Sequence, residues 1–354
     1  MSSVPAATAW NLAGAPHFIN PRAADGFRTR NCSIAAIGSC VPDRVLSNGE
    51  LARKLAVTED WIFSRTGIRE RRIAGDGEHT SVMAGWAAVR ALANTGLEAS
   101  DIDLIVVATN TPDMPFPATA CLVQAQIGAK RAAAFDLKAG ASGFLYALEV
   151  GRQFISSRAC DTVLVIGADK FSTIVDAYDR ETSIVFGDGA GAVILRSDPH
   201  SQGLLTTCLG SDGRLAGLMT VPGGGSQFPA SARSVVAGLH FLHLNSQRTI
   251  RPAVKAMHGA ALEVLRRCEL NLSQIKCIIA HQASRPILDA LSKRLGATPE
   301  QMFSNVEKYG NTSAASVPIA LSEAVETGRV QRGDLVLLLA FGAGLTWGAT
   351  VLEW

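Results

Sequence analysis

Three short stretches hold residue types that nucleophilic and oxyanion chemistry uses. In FDLKAGASGFLYAL (135–148) an apolar strand runs through Gly140-Ala141-Ser142-Gly143 into a helix-periodic segment. Main-chain N–H groups at such a helix start are unpaired and partly positive, so they lower a thiol pKa and bind a developing oxyanion. The tip of this turn, however, is the bare methyl of Ala141. Ser142 lies one position on, turned about 100° around a helix of 3.6 residues per turn. The Gly-Ala-Ser-Gly order also departs from the GxSxG spacing of a hydrolase nucleophile elbow. A purely structural turn is the competing reading. In IIAHQAS (278–284) His281 follows an apolar strand, where side chains line the crevice of an open α/β sheet; a buried structural histidine is the alternative. In YGNTSAASVPIAL (309–321) Asn311 precedes small residues and a helix, a place where asparagine also serves as an N-cap.

The elements that must position these residues occur twice. LEASDIDLIVVA (97–108) matches LNLSQIKCIIAH (270–281), and CDTVLVIGA (160–168) matches GDLVLLLAF (333–341), both at an offset of 173 residues. A shared offset points to a duplication. Apolar runs at 103–108, 162–167, 276–280 and 334–340 read as strands covered on both faces. They alternate with helix-periodic stretches at 82–95, 144–157, 252–267 and 286–295. The expectation is an N-terminal extension (1–31) followed by two related α/β halves, 32–199 and 200–354. At that offset, the Asn311 segment duplicates the Ala141 turn, so both helix starts are expected to face one interior site between the halves.

Composition removes several alternatives. With 354 residues, 47% hydrophobic and 18% charged, the chain can bury one large core or two domains. A formal charge of +2, with basic runs no longer than a pair such as Arg71-Arg72, gives no footprint for nucleic acid or an anionic membrane. Seven cysteines without a CxxC pair fit reduced thiols in the cytoplasm. Residues 1–31 do not read as a signal peptide, and the run from Leu335 to Leu345 is too short to span a bilayer. The glycines of FGDGAGAVIL (186–195) precede a strand, whereas a dinucleotide fingerprint opens a helix. HFLH (240–243) lacks the spacing of a helical zinc site, so no metal is expected.

Taken with DWIFSRTGIRERR (60–72), FPATAC (116–121), DRETSIVFGDGAGAVIL (179–195) and FGAGLTWGA (341–349), the ordered set resembles β-ketoacyl-acyl carrier protein synthase III of the thiolase superfamily. The likeness covers nearly everything after residue 31. It implies a thiolase-like duplicated five-layered αβαβα fold and decarboxylative condensation of an acyl-CoA starter with malonyl-acyl carrier protein. In that family a cysteine at the position of Ala141 carries the acyl group, and residues matching His281 and Asn311 assist decarboxylation. By the same resemblance, the backbone N–H groups of Ala141 and Ala343 form the oxyanion hole, and Trp61, Arg65 and Arg180 contact CoA. Phe116 lines the acyl pocket of a homodimer partner, and Arg251 lies near a carrier-protein docking position. Acyl-CoA enters as substrate and no cofactor is implied.

Two departures stand out: Ala141 removes the nucleophile, and Ser284 stands where asparagine is usual. The chain is then an engineered Cys-to-Ala form, a natural paralogue that has lost acyl transfer, or a protein in which Ser142 takes over. A CoA-thioester-binding module without turnover, and an acyltransferase of secondary metabolism with an oxygen or nitrogen acceptor, are the alternative functions.

Overall fold

The computed structural model describes residues 30–354. Of the expected 1–31 extension, therefore, all but Arg30 and Asn31 lies outside the described residues. Ten strands form two five-stranded sheets. Strands β1 (Cys32–Cys40), β2 (Leu104–Ala108), β3 (Ala133–Leu137), β4 (Thr162–Lys170) and β5 (Asp188–Ser197) make the first, in the order β1-β5-β4-β2-β3. Strands β6 (Leu204–Ser211), β7 (Cys277–Ala280), β8 (Met302–Phe303), β9 (Leu335–Gly342) and β10 (Thr346–Glu353) make the second, in the order β6-β10-β9-β7-β8. Adding five to each label of the first sheet gives the second. Both sheets combine parallel pairs (β2 with β3 and β4, β7 with β8 and β9) and antiparallel ones (β4 with β5, β9 with β10). The expected division at 199/200 falls in the connection between β5 and β6.

Five layers follow from how the strands distribute their side chains. Helices α1 (Asn48–Leu55) and α2 (Glu59–Thr66) belong to an excursion between β1 and β2, while α3 (Thr80–Ala93) and α4 (Thr119–Ile127) cover the outer face of the first sheet. α5 (Gly143–Ser156) lies between the sheets. On the second half, α6 (Ser246–Arg267) and α7 (Arg285–Leu295) cover the outer face, and α8 (Ser316–Glu326) joins α5 in the middle. In β2, Leu104 and Val106 point to the middle layer, and Ile105 and Val107 to the outer helices. In β9, Val336, Leu338 and Ala340 face the middle, and Leu337, Leu339 and Phe341 the other side. A strand buried on both faces must be apolar at every position, which is why these segments read as continuous apolar runs.

The glycine-rich strand β5 has a packing role. A Cβ on Gly191 would lie 2.7 Å from the Pro318 Cβ, and one on Gly189 2.8 Å from the Ile319 side chain. The glycines thus bring α8 down onto the sheet, and with it the segment that carries Asn311.

Candidate functional site

Ala141 sits in the turn between β3 and α5, where Gly140 takes φ 57° and the Gly143 N–H closes onto the Gly140 carbonyl at 3.0 Å. A Cβ on Gly140 would lie 2.4 Å from the Ala343 nitrogen, and one on Gly342 2.4 Å from the Ala141 nitrogen. Two glycines, one from each half, therefore let the main chains at 141 and 343 run in contact. Neither the Ala141 nor the Ala343 N–H donates a hydrogen bond within the described residues. The methyl of Ala141 is buried, with 8% of the residue exposed.

Ser142 does not supply the missing nucleophile. It is fully buried, its hydroxyl donates to the Ala139 carbonyl at 2.7 Å, and the Thr346 hydroxyl lies 2.9 Å away. The hydroxyl is a structural tie, closed off from solvent and already donating, not a nucleophile in place of a thiol. The four buried cysteines offer no substitute either. Burial pushes the Cys32 and Cys208 thiols up to about 12 and those of Cys40 and Cys277 to about 11, far from the activated range.

His281 follows β7 directly, with its N–H donating to the Leu339 carbonyl at 2.7 Å. Its imidazole is buried, and Nε2 lies 2.8 Å from Asn311 Oδ1. The same Oδ1 accepts the Ser313 N–H at 2.9 Å. Because a backbone N–H can only donate, this second bond fixes which end of the amide faces His281, and Nε2 must carry a proton. Nδ1 has no hydrogen-bond partner among the described residues, although the Phe341 carbonyl is nearby. Burial pulls the imidazole pKa from 6.5 to about 4, against the opposing effects of Asn311 and the Phe341 carbonyl. His281 is neutral at pH 7.

Asn311 is not the N-cap of the following helix. A 3₁₀ turn (Ser313–Ala315) intervenes, and α8 begins at Ser316 with Ala315 as its cap. The Asn311 main chain instead pairs across the halves, its N–H donating to the Val185 carbonyl at 2.9 Å and its carbonyl accepting from the Gly187 N–H at 3.0 Å. The ring of Phe341 lies 5.0 Å from that of His281, and Phe341 precedes the Gly342-Ala343 pair. Ala141, His281 and Asn311 are thereby linked through one set of contacts.

A cleft of about 460 Å³ opens beside them and is lined by Asn311 and Phe341 together with Trp61, Arg65 and Arg180. This is a volume suited to a small-molecule ligand. Trp61 lies on α2, and the Arg65 guanidinium carbon is 4.4 Å from the centroid of its ring. Arg180 donates from Nε to the Leu55 carbonyl at 3.0 Å. Phe116 does not line its own chain's cleft; it is 84% exposed, ahead of α4. Arg251 is exposed on α6, next to Ile250 and Thr249, which do line the cleft. Ser284 lines it too, with a hydroxyl that does not cap α7. Sequence reasoning missed Ile184, Phe186, Met219 and Leu244, which complete the apolar wall. Met219 and Leu244 belong to a short two-stranded ribbon, too brief to leave a periodic signal.

Known proteins resemble this chain over most of its length. The family model described as 3-oxoacyl-[acyl-carrier-protein] synthase III matches residues 135–213, and that of its C-terminal region matches 265–354. The chain is 45% identical over 322 residues to the β-ketoacyl-[acyl-carrier-protein] synthase III of Roseiflexus castenholzii, covering 91% of this chain and 98% of that protein. The crystal structure of 3-oxoacyl-[acyl-carrier-protein] synthase III from Aquifex aeolicus superposes with a TM-score of 0.85 at 41% identity, covering 91% of this chain and all of that one. The priming β-ketosynthase of the R1128 polyketide pathway superposes with a TM-score of 0.86 at 33% identity, covering 92% and 97%. Likeness of this extent means that the chain belongs to the β-ketoacyl-[acyl-carrier-protein] synthase III family.

Proposed function

We propose that this chain binds acyl-CoA and malonyl thioesters in the manner of its family and decarboxylates the malonyl group, but forms no acyl-enzyme. The observation that carries the reading is a neutral, buried His281 donating from Nε2 beside Asn311, with a methyl group at residue 141.

The Asn311 Nδ2 hydrogens are left to the cleft once Oδ1 is held by Ser313 and His281. When a malonyl thioester enters, the His281 Nε2–H turns to its carbonyl oxygen and Asn311 Nδ2 donates to the same atom. Loss of CO2 breaks the bond to the carboxylate carbon and leaves its electron pair as an enolate, whose oxygen those two donors stabilise. In a full condensation that carbon attacks an acyl group held on sulfur, and the Ala141 and Ala343 N–H groups bind the oxyanion. Ala141 offers no sulfur, so the enolate carbon takes a proton from water and the product is an acetyl thioester.

Trp61, Arg65 and Arg180 serve the nucleotide end of CoA, as a flat ring and two cations at the mouth of the cleft. Arg251, on the exposed face of α6 with Arg248 and Lys255, provides cations where an acidic carrier protein docks. The chain works as a homodimer. Its edge strand β3 pairs on one side only, and the exposed Phe116 reaches into the partner's acyl pocket.

Incubation with malonyl-CoA is expected to release CO2 and acetyl-CoA slowly. His281→Ala and Asn311→Ala are each expected to lower that release by about 10²-fold. Decarboxylation unchanged in both variants contradicts the reading.

A further inference from the structure

We infer that Asp169, acting through Asn110, is the positioning residue that fixes the Asn311 amide, so that the decarboxylation machinery forms only when the two halves are locked together. The inference rests on the reading of Asn311 given above.

Asp169 lies in β4 and is fully buried, yet no cation pairs with it among the described residues. Its two oxygens accept six hydrogen bonds, five from residues 109–111 of the first half and one from the second half. Oδ1 takes four from the turn after β2: the Asn110 N–H at 2.7 Å, the Thr111 N–H at 3.1 Å, and the hydroxyls of Thr111 and Thr109 at 3.0 and 3.2 Å. Oδ2 takes the Ala314 N–H, from the second half, at 3.0 Å and Asn110 Nδ2 at 3.0 Å. Asn110 Nδ2 in turn donates to Ser313 Oγ at 3.3 Å. Ser313 is thus held from both sides, and it sits at φ 52°, a conformation that residues other than glycine seldom adopt without support. In that conformation its N–H reaches Asn311 Oδ1. Release of Ser313 frees the Asn311 amide to rotate and its Nδ2 to leave the cleft.

The division of labour makes Asp169→Asn informative. An amide has one acceptor oxygen. If that oxygen keeps the four donors of the 109–111 turn, the new NH2 faces Asn110 Nδ2 and the Ala314 N–H, donor against donor. The first half keeps its turn and the link to the second half breaks. In the double variant Asp169→Asn with Asn110→Asp one of the two clashes is removed: the new amide donates to the new carboxylate and Ser313 Oγ turns to donate to it as well, while the Ala314 N–H still faces the amide NH2.

The test uses the full-length chain carrying Ala141→Cys, after mass spectrometry has shown that this form takes an acyl group from acyl-CoA. Asn110→Ala and Asp169→Asn are each expected to lower kcat for malonyl-thioester decarboxylation on the order of 10-fold, with KM and the rate of acyl-enzyme formation within about 2-fold, since displaced donors cost the step they serve. The double variant is expected to recover part of the loss relative to Asp169→Asn, through the restored link to Ser313. Equal falls in acyl transfer and decarboxylation, or no fall in folded Asn110→Ala, overturn the inference; Asn110→Ala decides it if Asp169→Asn does not fold. If Ala141→Cys accepts no acyl group, the function proposed above fails instead. A crystal structure of Asn110→Ala then still decides the positioning: a turned Asn311 amide supports it, and Oδ1 retained 2.8 Å from His281 Nε2 contradicts it.

Discussion

His281 and Asn311 meet at 2.8 Å, Nε2 to Oδ1, at a point where the two halves of the chain close on each other. The contact makes the histidine a donor in its neutral form, and burial keeps it neutral far below the pH at which a free imidazole takes a proton.

Decarboxylation should therefore show no break near pH 6.5. The folded pKa of about 4 lies below the unfolded value of 6.5, so between these values the unfolded chain binds more protons than the folded one. Stability then rises with pH from 4 to 6.5, by at most about 1.4 kcal/mol per unit from this residue, and the contribution is lost as pH falls toward 4. Thermal melts of the parent and of His281→Gln across that window check it; the variant should lose part of the slope.

Gly342→Ala tests the meeting of the two main chains. A Cβ there would stand 2.4 Å from the Ala141 nitrogen, and the neighbour is backbone, which cannot swing aside. We expect a loss of about 1–3 kcal/mol in denaturant unfolding. In the thiol-restored form, acyl transfer should fall by about 10²-fold as the pair of N–H donors spreads.

Much of this was legible in the sequence, and the reason is physical. β2, β4, β7 and β9 are covered on both faces, so apolar runs gave their positions within three residues, and the shared offset of 173 pointed to two related halves, each now seen with a sheet of the same strand order. His281 was legible because a polar residue directly after such a run must lie at a sheet end. The Asn311 turn was not, because its geometry depends on Asp169, 142 residues away in sequence, and on Ser313 holding a positive φ. Nor was the wall formed by Met219 and Leu244, whose conformation comes from packing on the first half rather than from local pattern.

Trp61→Ala should weaken CoA binding by about 10-fold in calorimetry while leaving a pantetheine thioester without nucleotide little affected. The stacking surface on α2, already faced by Arg65, is expected to serve only the nucleotide end.

Phe116→Asp should shift the protein from dimer to monomer in light scattering, since an 84% exposed phenylalanine beside an unpaired sheet edge is expected to be covered by a second copy. A parent protein that runs as a monomer at micromolar concentration contradicts the homodimer.

The central claim is that one missing sulfur separates this chain from acyl transfer. Intact-protein mass spectrometry after incubation with acetyl-CoA tests it most directly: no added mass is expected on the chain with Ala141, and one acetyl group per chain on Ala141→Cys. A stable adduct on the chain with Ala141, or none on the thiol-restored form, contradicts it.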